Sequence, residues 1–127
     1  MGQFATLGFI AIGGALGACS RYLISELCVL LLGRGFPYGT LTVNVVGSFI
    51  MGMLVALFEN EVIVTDPWRQ IIGLGFLGAL TTFSTFSMDN VLMFQQGAYW
   101  KAGLNIALNV TLSISACLIA FQMFLKN

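Results

Sequence analysis

The chain has 127 residues, of which 58% are hydrophobic and 8% charged, with zero formal net charge and no histidine. A soluble domain carries charge on about a quarter of its residues, and a soluble fold of this length cannot bury so much apolar surface, so lipid is its solvent. The neutral balance excludes a basic face for nucleic acid. With no histidine and no paired carboxylates inside the apolar segments, no nucleophile–base pair is available and the chain reads as a non-enzyme.

A helix needs about 20 apolar residues to cross a bilayer. Four stretches qualify, at Phe4–Leu32, Leu41–Phe58, Ile71–Phe94 and Ala102–Leu125. Residues 1–127 therefore read as a single all-α integral membrane domain with four transmembrane helices. Leu16-Gly17-Ala18-Cys19 looks like a lipoprotein cleavage box, but residues 1–20 contain no Lys or Arg, and a signal peptide opens with positive charge. The segment is expected to remain as a first span. Cys19, Cys28 and Cys117 lie in apolar segments and read as small buried hydrophobes, since no Cys/His pairs are spaced for zinc.

Span one contains Gly13-x-x-x-Gly17, which puts two glycines on one helix face where another helix can approach closely. Arg21 continues that face. A guanidinium within a span needs a partner, water or the interface, so Arg21 is a candidate for anchoring or for a pore. Gly33-Arg34-Gly35-Phe36-Pro37-Tyr38-Gly39 reads as a turn with interfacial aromatics. In span two, Thr40, Asn44, Ser48 and Gly52 repeat at i, i+4, a narrow polar stripe on an apolar helix. Burying the Asn44 amide without partners is costly, which makes it a candidate functional group.

Thr65-Asp66-Pro67-Trp68 is expected to start a helix, with Asp66 as N-cap and Pro67 at the first helical position. Span three then runs through Leu77-Gly78-Ala79-Leu80 into Thr81-Thr82-Phe83-Ser84-Thr85-Phe86-Ser87. Five hydroxyls in seven residues, just after glycines, predict a helix broken near the midplane. Irregular backbone at that depth survives only inside protein or beside water, and its freed carbonyls can bind a cation. Gln95-Gln96-Gly97 suits a C-cap. Span four carries Lys101, Asn105, Asn109, Ser113 and Cys117 at i+4 spacing, a second polar stripe. Gly73-x-Gly75-x-x-Gly78 matches a dinucleotide-binding pattern but lacks the strand and βαβ unit that pattern needs.

With four spans, Arg69 and Lys126 fall on one side and Arg34 and Lys101 on the other, with Arg21 nearby. Cytoplasmic loops carry an excess of Lys and Arg, and neither side has a clear one. Insertion in both orientations, and an antiparallel homodimer, are the expectation. The stripes offer hydroxyls and amides without fixed negative charge, a lining that could pass an anion. Phe83 and Phe86, at i and i+3, could turn their positive ring edges to it.

Gly39-Thr40-Leu41-x-Val43-Asn44 and the run from Gly75 through Ser87 resemble the Fluc (CrcB) fluoride channels, and Gly17-x-x-x-Arg21 fits as well. The resemblance spans the chain in length, span count and motif order. It implies passive fluoride export across a bacterial plasma (inner) membrane by an antiparallel dimer with two pores. It implies a structural Na+ held by the Gly78 and Thr81 carbonyls. It also implies that Asn44, Phe83, Phe86, Ser84, Thr85, Asn109 and Ser113 serve the pore, with Arg21 and Thr40 in structural or vestibule roles. Ala79, Asp89, Asn105 and Cys117 depart from the family pattern. Two other readings compete. A small multidrug-type proton-coupled exporter needs a membrane-embedded carboxylate, for which Glu26 is the candidate. A non-transporting membrane scaffold needs none of these groups.

Overall fold

The computed structural model describes residues 1–126. It is all-helical, with α1 (Gln3–Leu32), α2 (Tyr38–Glu59), a π-helix (Arg69–Leu77), α3 (Gly78–Leu80), α4 (Phe83–Gln95) and α5 (Tyr99–Phe124). Four segments are long and apolar enough to cross a membrane: Gln3–Leu32, Tyr38–Glu59, Arg69–Gln95 and Tyr99–Phe124. The last three start two or three residues earlier than the apolar runs do, because interfacial residues such as Tyr38, Tyr99 and Trp100 continue the helices outward.

Helix ends follow local chemistry. Gly33, at φ +83°, ends α1 and donates its N–H to the Val29 carbonyl. Gly97, at φ +78°, follows α4, with Gly97 N–H reaching Phe94 O and Ala98 N–H reaching Met93 O. That pair of bonds is a Schellman ending, which glycine permits because it has no Cβ. Asn60 ends α2 and ties it to the end of α5. Its Nδ2 donates to Phe124 O at 2.7 Å, and its Oδ1 accepts from Lys126 N–H at 3.2 Å.

The third span departs from expectation at its start. Asp66 does not cap a helix; its Oδ1 accepts from the Gln70 side chain at 2.9 Å, and Arg69–Leu77 is π-helical. The Gly78 N–H accordingly reaches back five residues, to Gly73 O. Nine π-helical residues are many for a form that appears mostly as single turns. Contact with α1 accompanies it. A Cβ on Gly13 would strike the Ile71 carbonyl, and one on Gly17 the Phe76 carbonyl. A Cβ on Gly75 would sit 2.7 Å from Ile10 O. The two backbones are in direct contact because small residues line both sides. Of the three glycines that imitate a dinucleotide-binding loop, this packing accounts for Gly75.

α2 packs along α5, and α1 along the π-helix. In the first pair Gly52 lies against the Cys117 backbone. Val43, Leu54, Leu77 and Leu80 form the buried apolar centre, flanked by Ile24, Ile50, Met51, Phe58, Ile72 and Phe76. Cys28 and Cys117 are half-buried, but Cys19 is exposed, contrary to the reading of all three as buried. In lipid an apolar side chain gains nothing further by hiding inside protein, so α1 leaves much of its surface uncovered.

Between α3 and α4, Thr81 and Thr82 are extended, with ψ of 155° and 123°. Thr82 caps α4, its hydroxyl accepting the Thr85 N–H at 3.1 Å. Removing that acceptor with Thr82→Val is expected to cost about 1 kcal/mol of stability, read as a lower melting midpoint in detergent.

Candidate functional site

Side-chain bonds hold the extended pair and the backbone just before it. Asn44 on α2 accepts the Thr82 N–H on Oδ1 at 2.8 Å and donates from Nδ2 to the Thr82 carbonyl at 3.2 Å. This two-point clasp copies the bonding of a neighbouring strand, so extended backbone is satisfied without one. Arg21 on α1 donates from Nε to the Ala79 carbonyl at 3.0 Å. The Thr81 hydroxyl donates to Leu77 O at 2.9 Å. Arg21 thus finds its partner in backbone freed at the end of α3.

These bonds divert two backbone donors from the Gly78 and Thr81 carbonyls. In a continuous α-helix the Thr82 N–H would reach Gly78 O, and the Thr85 N–H would reach Thr81 O. Here they go to Asn44 and to the Thr82 hydroxyl.

Asn44 also donates from Nδ2 to Asn109 Oδ1 at 2.9 Å. Asn109 Nδ2 donates in turn to the backbone oxygen and the Oδ1 of Asn105, both at 2.9 Å. Asn105 Nδ2 donates to Asn90 Oδ1 at 2.9 Å. The two polar stripes therefore meet through their amides. Asn90 is the member that sequence reasoning missed. An asparagine inside an apolar span is itself a signal, by the same desolvation cost that singled out Asn44.

A cavity of about 290 Å³ opens beside this junction. Asn44, Phe83, Phe86, Asn109 and Ser113 all line it, with Thr81 and Thr82 at the extended pair. The ring centroids of Phe83 and Phe86 lie 5.4 Å apart and are tilted by 54°. Phe86 is buried, whereas Phe83 is 78% exposed. The Ser113 hydroxyl is buried and has no hydrogen-bond partner among the described residues. Both protons of the Asn44 amide are engaged, so Ser113 is the readier donor into the cavity.

The other expected residues fall elsewhere. Thr40 and Thr85 line a second cavity, of about 440 Å³, together with Arg34, Asp89 and Lys101. Lys101 Nζ crosses to donate to Gly35 O at 3.1 Å. Ser84 is exposed, its hydroxyl 3.4 Å from that of Thr82. Gly78 is exposed as well. Glu26 is exposed on α1 and does not line the cavity of Asn44.

Comparison with known proteins places this arrangement. The family model described as CrcB-like protein, Camphor Resistance (CrcB), matches residues 8–121. A protein of Vibrio campbellii named fluoride-specific ion channel FluC is 78% identical over 127 residues, covering 100% of both chains. Its namesake in Vibrio parahaemolyticus is 76% identical over 127 residues, also covering 100% of both. Another in Photobacterium profundum is 69% identical over the same length and coverage. With four helices fit to span a bilayer and a family match over nearly its whole length, the chain is a multi-pass membrane protein belonging to the CrcB family.

Proposed function

We propose that the chain forms a passive, fluoride-selective channel that exports fluoride from the cytoplasm across the bacterial plasma (inner) membrane and so relieves fluoride toxicity. One observation carries this reading: a single cavity gathers Asn44, Phe83, Phe86, Asn109 and the unpartnered hydroxyl of Ser113. Fluoride is small and strongly hydrated. A path for it must replace water with donors yet let the ion leave. The Ser113 hydroxyl is such a donor, and the edges of the Phe83 and Phe86 rings are positive. None of these groups carries a fixed charge that would trap the ion. Thr40 and Thr85 serve the wider cavity, where Arg34 and Lys101 draw anions toward its mouth. Ser84 belongs to the path where the partner protomer covers it.

The working unit is an antiparallel homodimer with two pores, and its third span is broken near the midplane. The exposure of Gly78, Phe83 and Ser84 supports this, because freed carbonyls and hydroxyls facing lipid would be costly. A second copy would cover them. The near balance of Lys and Arg between the two sides supports dual insertion.

A structural Na+ fits the same region. The Gly78 and Thr81 carbonyls, from which the Thr82 and Thr85 N–H groups are diverted, are hard oxygen ligands of the kind that unwound helices offer to sodium. These residues and their partner copies would hold the ion, which supplies fixed positive charge near the anion path.

A bacterium stripped of its own fluoride export is expected to grow on fluoride when it expresses this chain. Phe83→Ile should remove that protection, since it deletes a ring edge and keeps an apolar side chain. Growth on fluoride that is equal with wild type and with Phe83→Ile would contradict the assigned path. The proton-coupled exporter gains no support from Glu26, which lies outside the cavity.

A further inference from the structure

Asn90 on α4 and Asn105 on α5 end a line of side-chain amides that leads to the cavity without lining it. The direction of donation along this line is fixed by backbone groups. The Thr82 N–H can only donate, so it must meet the oxygen of Asn44. The Asn44 nitrogen then faces Thr82 O and must meet the oxygen of Asn109. From the other side, the Asn105 carbonyl can only accept, so it must meet the nitrogen of Asn109. That nitrogen also meets Asn105 Oδ1, which leaves Asn105 Nδ2 to donate to Asn90 Oδ1. Donation runs one way, from the Thr82 N–H through Asn44, Asn109 and Asn105 to Asn90.

This order matters to an anion. The Asn44 oxygen is engaged by Thr82, and the Asn109 oxygen by Asn44. Neither is left as a free carbonyl facing the cavity, where its partial negative charge would repel an anion and suit a cation. Asn105 is 0% exposed, and Asn90 is also buried, so neither is placed to touch an ion in the cavity. A buried amide without its partner would seek another arrangement, because an unmade buried hydrogen bond is costly.

We infer that Asn90 and Asn105 are positioning residues, which hold the Asn109 and Asn44 amides with their oxygens engaged and so set the preference of the cavity for anions. The inference rests on reading the cavity as the ion path.

The test compares Asn90→Leu with Asn90→Asp in liposome flux assays of the full-length protein. Leucine matches asparagine in shape but accepts no hydrogen bond. Aspartate keeps an oxygen for the Asn105 nitrogen. A packing role alone would favour leucine, because aspartate brings a carboxyl into a buried site. The inference expects the reverse. Asn90→Leu should lower fluoride flux about tenfold, as the loss of one buried hydrogen bond allows, and lower the fluoride-to-potassium flux ratio. Asn90→Asp should keep at least about half of the wild-type flux. Any result in which aspartate does no better than leucine overturns the inference. If the wild type itself passes no fluoride, the path reading fails, and the amide line is tested by side-chain amide NMR. Asn90→Leu should then shift the signals of Asn109 and Asn44, to which Asn90 is not directly bonded. Unchanged signals would overturn the inference on that arm.

Discussion

Asn44→Asp is expected to reduce fluoride flux, per folded protein, by roughly 100-fold or more. The substitution preserves shape and keeps an oxygen for the Thr82 N–H. It replaces the nitrogen that donates to Thr82 O and to Asn109 Oδ1 with an oxygen that cannot donate when ionised. Two part-buried acceptors lose their donor, at up to about 1–3 kcal/mol each, and about 1.4 kcal/mol corresponds to a factor of ten. The added negative charge at the cavity wall opposes an anion as well. Flux from liposomes containing the variant, normalised to protein, reads this directly. Wild-type flux in Asn44→Asp would mean that the cavity is not the path.

The second large effect concerns assembly of the bundle. Gly13→Val and Gly17→Val are each expected to cost about 1–3 kcal/mol, the usual range for overpacking, and the double variant is expected to fail to fold. At both positions the new side chain meets carbonyl backbone of the π-helix, which cannot turn aside as a flexible side chain can. The helices must separate, and the Arg21 bond to Ala79 O would be strained with them. Gly14→Ala is the control on the same helix. There the nearest atom to a new Cβ is Gly75 O at 4.0 Å, so helix propensity dominates and stability should hold or rise. Melting midpoints in detergent separate these outcomes, and equal midpoints for Gly13→Val and Gly14→Ala would contradict the packing.

These expectations show where the sequence was legible. Strong apolar runs marked the four spans to within a few residues, since crossing a bilayer takes about 20 apolar residues. The i, i+4 spacing of Asn44 and Ser48, and of Asn109 and Ser113, put the same residues on the cavity wall. Gly97 read correctly as a helix ending. The π-helix was not legible, because nothing in Arg69–Leu77 distinguishes five-residue from four-residue bonding until α1 is docked against it. Asp66 was misread because a local capping pattern competed with a longer side-chain bond to Gln70. Asn105 reads in the sequence as a member of the span-four polar stripe and as a departure from a family pattern. Its role in the amide line depends on Asn90, and only the packing of α4 on α5 brings the two together.

The most direct test of the central claim is ion release from liposomes containing the purified protein, followed with a fluoride electrode and compared with chloride. Rapid fluoride release with little chloride release is the expected result. Equal release of both ions, or release of neither, would contradict a fluoride-selective channel.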